Sequence, residues 1–186
     1  MTTDDFSARD LIVREDGVLV VIDVQEKLMP AIVDRENLVD HLVRLLKFAQ
    51  IIGLPVVLTE QEKLGATLPE VKGLTPNVSP IGKVSFDCFR NAEFETAVRE
   101  TGRTTLILTG VETHVCVAQT ALHAMPEYAV HVVSDAVGSR TEDNWRIGLE
   151  RMRQAGAVIT STEMLIFELL QQAGTEEFRA TLPLVK

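Results

Sequence analysis

Aromatic residues make up only 5% of the 186-residue chain, cysteine occurs twice, and 18 Lys and Arg face 27 Asp and Glu. Each shortage excludes something. Two cysteines allow at most one bridge, so no disulfide framework exists. Their separation of 28 residues (116 − 88), with no CxxC, argues against thiol-redox chemistry. A formal net charge of −9, with no local cluster of Lys or Arg, repels nucleic acid. No apolar run approaches the roughly 20 residues of a membrane helix; MLIFELL (164–170) is short and carries Glu168. The segment Met1 to Asp10 lacks the basic start and apolar centre of a signal peptide. A cytoplasmic protein with reduced thiols and no membrane contact is expected. GxGxxG, GxxxxGK[ST] and GxSxG are all absent, which removes local support for a dinucleotide fold, a P-loop or a serine nucleophile elbow.

What is present is apolar and periodic. Hydrophobic residues form 46% of the chain, enough for one well-buried domain. GVLVVID (17–23) is a continuous apolar run, as in a strand buried on both faces. A helical stripe follows from Asn37 to Ile52, stopped by Gly53 and Pro55. PVVLTE (55–60), IGKVSF (81–86), TTLILTG (104–110), AVHVVSD (129–135) and AVITST (157–162) read as further strands. A turn-rich stretch at 65–80 is long enough to be a site loop. Asn91, Thr113 and Thr141 stand where helices would be capped, and two short helices are expected near 163–173 and 175–182. Strands alternating with helices predict a single α/β domain, a three-layer α/β/α sandwich around a six-stranded, mostly parallel sheet. The domain is placed at 17–186, after an N-terminal extension at 1–16.

Ligands of such sheets sit beyond the carboxyl ends of the strands. Asp23, Glu60 and Asp135 end strands, Lys83 lies in the third, and Cys116 follows the fourth. With Thr113 as cap, Cys116 falls in a helical first turn, where free N–H groups lower a thiol pKa and can hold an oxyanion. It can equally be a small buried hydrophobe. Asp23 is either a functional carboxylate or a turn residue at a strand end. Lys83 is either functional or a guard on an edge strand. His41 and His123 read as solvated, His131 as alternating outward, His114 as unpartnered beside Cys116, and Cys88 as incidental.

Together these residues resemble the isochorismatase-like cysteine hydrolases, a family that includes nicotinamidases and carbamoylsarcosine amidases. The resemblance rests on VVIDVQEKL (20–28), GKVSFDCF (82–89), LTGVETHVCVAQTAL (108–122), VVSDAVGSR (132–140) and ERMRQAGAVITSTE (150–163). PVVLTEQEKLGATLPEV (55–71) looks closest to the isochorismatase-domain-containing branch. The resemblance implies a triad of Asp23, Lys83 and Cys116, a cis peptide at Val111–Glu112, and an oxyanion hole from the N–H groups of Glu112 and Cys116. Nicotinamidases carry histidines for a metal, whereas residues 59–73 contain none, so neither metal nor cofactor is expected. Gln25, Gln61 and Thr113 are candidates for the substrate pocket.

The reading is a cysteine-dependent hydrolase that cleaves a small amide or related C–N bond through an acyl-thioester. Vinyl-ether hydrolysis of the isochorismatase type and a non-catalytic binding protein are the alternatives. The apolar residues of MLIFELL, with Phe178, Leu182, Leu184 and Val185, suggest a homo-oligomer.

Overall fold

The computed structural model describes residues 11–186. The first ten residues of the extension at 1–16 lie outside the described residues. Within the remainder of that stretch, Ile12 is buried in the core and Arg14 pairs with Glu177 at 2.9 Å.

The chain runs through β1 (Gly17–Ile22), α1 (Arg35–Ile52), β2 (Val56–Gln61), α2 (Pro69–Lys72), β3 (Ile81–Lys83), α3 (Ala92–Glu100) and β4 (Thr105–Val111). It continues through α4 (Ala118–Ala124), β5 (Ala129–Gly138), α5 (Glu142–Ala155), β6 (Val158–Thr160), α6 (Thr162–Leu170) and α7 (Glu176–Thr181). The six strands form one parallel sheet in the order β3-β2-β1-β4-β5-β6. The chain therefore starts in the middle, winds out to β3, and returns to lay β4 beside β1. That reversal is where an open α/β sheet forms a crevice.

Each face has its own core. Leu19 and Val21 of β1 pack with α1 and α6 on one side, while Val18, Val20 and Ile22 pack with α3, α4 and α5 on the other. This double burial explains why β1 is apolar at every position. Gly53 closes α1 in the left-handed conformation, and Asn91 and Thr141 cap α3 and α5 through their side-chain oxygens.

Several expectations are corrected. β3 stops at Lys83, three residues short of the expected strand, because the chain then turns Ser85 O back toward the Lys83 ammonium at 3.2 Å. β6 stops at Thr160 because Ser161 caps α6 instead, its hydroxyl accepting from Met164 N. β5 runs on to Gly138, which pairs with Val111. His131 does not face outward; β5 is covered on both sides, and burial lowers the His131 pKa to about 4. His41 lies 3.5 Å from Asp135, and His123 sits 2.6 Å from Asp87, so neither is simply solvated. Phe178, Leu184 and Val185 pack against the α1–α6 core, which leaves Met164 and Phe167 as the exposed part of the C-terminal apolar set.

One glycine governs the approach of β1 to β4. Gly110 pairs with Ile22 at φ +100°, and a Cβ there would fall on the Ile22 carbonyl, 2.7 Å from Ile22 N as well. Both the conformation and the contact with backbone require glycine. Gly110→Ala is expected to lower stability by at least ~3 kcal/mol in urea denaturation. A loss under ~1 kcal/mol, typical of a benign position, would show that this approach is not constrained.

Candidate active site

Asp23 is the first residue beyond β1 and is completely buried, with a left-handed backbone at φ +53°, a region that Asp tolerates better than most residues. Its Oδ2 accepts from Lys83 Nζ at 2.7 Å, and its Oδ1 accepts from Thr59 Oγ1 at 2.8 Å. The Lys83 side chain is also fully buried. Although β3 is the sheet edge, Lys83 points inward, and its ammonium donates additionally to Gln61 Oε1 at 2.8 Å and Ser85 O at 3.2 Å. All three ammonium protons are thus engaged.

Cys116 completes the cluster from the far side of the strand reversal. It is buried, and close enough to Asp23 and Lys83 for both charges to act on its thiol. The expected Thr113 cap is not formed. Residues Thr113–Val117 make one wide turn in which Val115 N and Val117 N both donate to Glu112 O, at 3.0 and 3.2 Å. α5 presses its Gly148 against this turn, where an added Cβ would lie 3.1 Å from His114 N. Regular helix begins only at Ala118. Cys116 therefore sits in the wide turn and not at the third position of a capped helix.

This changes the thiol's chemistry. Burial first, and then the charge of Asp23, push the Cys116 thiol up, well beyond the usual cysteine range; Lys83 offsets only part of this. The raised pKa favours the protonated thiol over the thiolate. Burial opposes the Lys83 charge, but Asp23 and the two nearby cysteines more than compensate, and the ammonium pKa is raised. Cys88, read as incidental, opens the short 3-10 turn Cys88–Arg90. It is buried within reach of Lys83's charge, and burial raises its pKa to about 12.

The remaining candidates separate. Gln61 belongs to the ammonium cage and also donates to Val84 O at 2.6 Å. Gln25 is fully buried: its Nε2 donates to Gln61 O and Gly65 O, and its Oε1 accepts from Gln61 N, so it ties the loop after β1 to the end of β2. Thr113 Oγ1 is buried and has no partner among the described residues. Glu60 accepts from both N and Oγ1 of Thr67 at 2.7 Å, bracing the loop before α2. The Val111–Glu112 peptide is cis, and the Glu112 carboxylate is held by Arg140 N and Nε at 3.1 and 3.0 Å. His114, read as unpartnered, meets Ser139 Oγ at 3.0 Å. Among the described residues, no group of three or more His, Cys, Asp or Glu side chains is arranged to hold a metal, and no helix is long and apolar enough to cross a membrane. Thr59 is the site residue that sequence reasoning missed. A threonine inside a strand looks like an ordinary β-former, and nothing in its neighbours along the chain marks it out.

Residues 17–164 match the isochorismatase domain model. The secreted isochorismatase effector Isc1 of Phytophthora sojae is 38% identical over 177 residues, covering 91% of this chain and 84% of that protein. Among solved structures, YcaC from Pseudomonas aeruginosa, with hexane-2,5-diol and covalent acrylamide, superposes with a TM-score of 0.89 at 28% identity, over 95% of this chain and 92% of that one. YcaC from Escherichia coli, described as an octameric hydrolase of unknown specificity, gives a TM-score of 0.86 at 28% identity, over 92% and 91% of the two chains.

The buried ion pair generates a prediction independent of turnover. Lys83→Met leaves the Asp23 charge buried and unpaired, and should cost about 3–5 kcal/mol in urea denaturation. Adding Asp23→Asn to the same chain should recover most of the loss. A Lys83→Met protein within ~1 kcal/mol of wild type would mean that the two charges do not depend on each other.

Proposed function

Because this chain belongs to the isochorismatase family and is a hydrolase of that family, we propose that it cleaves the C–N bond of a small amide or related compound, with Cys116 as nucleophile. The observation that carries the reading is the convergence of Asp23, Lys83 and the Cys116 thiol at the carboxyl end of the sheet. The proposal takes each role from the local chemistry. Asp23 accepts the thiol proton as Sγ attacks the carbonyl carbon, so no free thiolate has to accumulate. The N–H groups of Glu112 and Cys116 receive the oxyanion. Asp23 then passes the proton to the leaving nitrogen, the C–N bond breaks, and an acyl-thioester remains. Water attacks that ester with Asp23 again as base, releasing the acid and restoring the thiol. Lys83, with its three protons already committed, holds the Asp23 carboxylate in place and does not donate to the substrate. No metal or other cofactor is assigned a part.

The same observation favours one other reading. A thiol held in its protonated form is consistent with vinyl-ether hydrolysis in which Asp23 acts and Cys116 does not. The P. aeruginosa YcaC structure contains a covalent acrylamide, a small amide attached to a protein of this fold. We also propose a homo-oligomer: Val84, Phe86, Met164 and Phe167 are exposed, and the E. coli YcaC structure is described as octameric. The two free cysteines suit a reducing cytoplasm, whereas the P. sojae relative is named as secreted. The partners proposed are a small-molecule substrate and further copies of the chain, with neither nucleic acid nor membrane.

Ammonia or amine release across a panel of small amides tests the proposal. Cys116→Ala should abolish it, and Asp23→Asn should lower it by at least ~10²-fold. The double variant should be no worse than Cys116→Ala, because residues acting as one unit are not additive. Retained vinyl-ether hydrolysis in Cys116→Ser would instead establish the second reading. Absence of all turnover in the folded wild-type protein would leave a binding protein on this fold.

A further inference from the structure

We infer that Thr59 is a positioning residue for the Asp23 carboxylate, a role that rests on the proposed proton transfer from Cys116. Thr59 lies on β2, the strand hydrogen-bonded to β1, and is almost completely buried. Its register partner in β1 is Ile22, and its carbonyl accepts from Asp23 N at 3.2 Å. Its hydroxyl donates to Asp23 Oδ1 at 2.8 Å, while Lys83 takes Oδ2. Backbone and side chain of one residue therefore grip the backbone and side chain of Asp23 together.

The two grips serve different ends. The Lys83 ammonium supplies charge, but a lone Nζ···Oδ2 contact leaves the carboxylate free to swing about its terminal torsion, which has a broad, two-fold preference. A second donor on Oδ1 removes that freedom and fixes the plane in which the lone pairs point. The thiol of Cys116 must meet one of those lone pairs for its proton to move, and such a transfer tolerates little misplacement. Thr59 has a single hydroxyl proton, and it is spent on Asp23.

A buried threonine can also serve simply as packing, and two substitutions reverse the order expected from each role. Thr59→Val keeps the branched shape and removes the donor; Thr59→Ser keeps the donor and removes a methyl. The readout is the rate of Cys116 carbamidomethylation by iodoacetamide, followed at peptide level by mass spectrometry, so that no substrate has to be known. Asp23→Asn is run alongside. The positioning role predicts that Thr59→Val slows Cys116 alkylation by about tenfold, the scale of one hydrogen bond to a charged group, while Thr59→Ser stays within about twofold of wild type. Thermal melts should show Thr59→Val to be the less stable of the two, since it leaves Asp23 Oδ1 buried without its donor whereas Thr59→Ser loses only a methyl. Slow alkylation in Thr59→Ser with a normal rate in Thr59→Val would overturn the proposal in favour of packing. A slowed Asp23→Asn beside an unchanged Thr59→Val would refute the role of Thr59 and leave the proposed function standing. An unchanged or faster Asp23→Asn, the result if Asp23 does no more than hold the thiol pKa up, would remove the proton transfer itself, and Thr59's role with it.

Discussion

The site depends on an ion pair with no access to water. Asp23 and Lys83 both have fully buried side chains and meet at 2.7 Å. Taking two charges out of water costs several kcal/mol each, which their attraction offsets only if the remaining lone pairs and protons also find partners. Here they do. Lys83 spends its three protons on Asp23, Gln61 and Ser85, and Asp23 receives Lys83 on one oxygen and Thr59 on the other. Gln61 is held in place by donating to Val84, and Gln25 secures the backbone of Gln61. The polar centre is thus a connected network rather than a pair, and removing one member exposes the others to the full cost of burial.

That network can form only where the fold brings three distant segments together. The strand reversal sets β4 directly against β1, Gly110 lets their ends close at Ile22, and the left-handed Asp23 turns its side chain into the crevice. β2 contributes Thr59 and Gln61, and the last residue of the short edge strand contributes Lys83. A wide turn in place of a capped helix then presents Cys116. Its consequence is chemical: beside Asp23 and out of water, the Cys116 thiol has its pKa raised.

Much of this architecture was legible in the amino-acid order because burial leaves periodic traces. β1 announced itself by six consecutive apolar residues, and α1 by a helical stripe ending at glycine. Asp23 stood out because a carboxylate closes that apolar run. What could not be read was set by contacts between distant residues. Lys83 looked like an edge guard because strand order is a tertiary property, and its inward direction depends on a partner 60 residues away. Thr113 carried a capping signature, but packing of α5 against the turn overrode it. His131 obeyed an alternation rule that fails in a strand covered on both faces. Thr59 gave no local sign of its partner because the hydrogen bond that defines its role joins residues 36 apart.

The central claim is that Cys116 forms a covalent acyl intermediate by surrendering its proton to Asp23. The most direct test is intact-protein and peptide mass spectrometry after incubation with pooled small amides and rapid acid quenching. The account predicts an added mass equal to the amide less its leaving amine, confined to the peptide bearing Cys116. Amide hydrolysis that proceeds with no adduct on Cys116 at any quench time, and that persists at full rate once Cys116 has been alkylated, would contradict it.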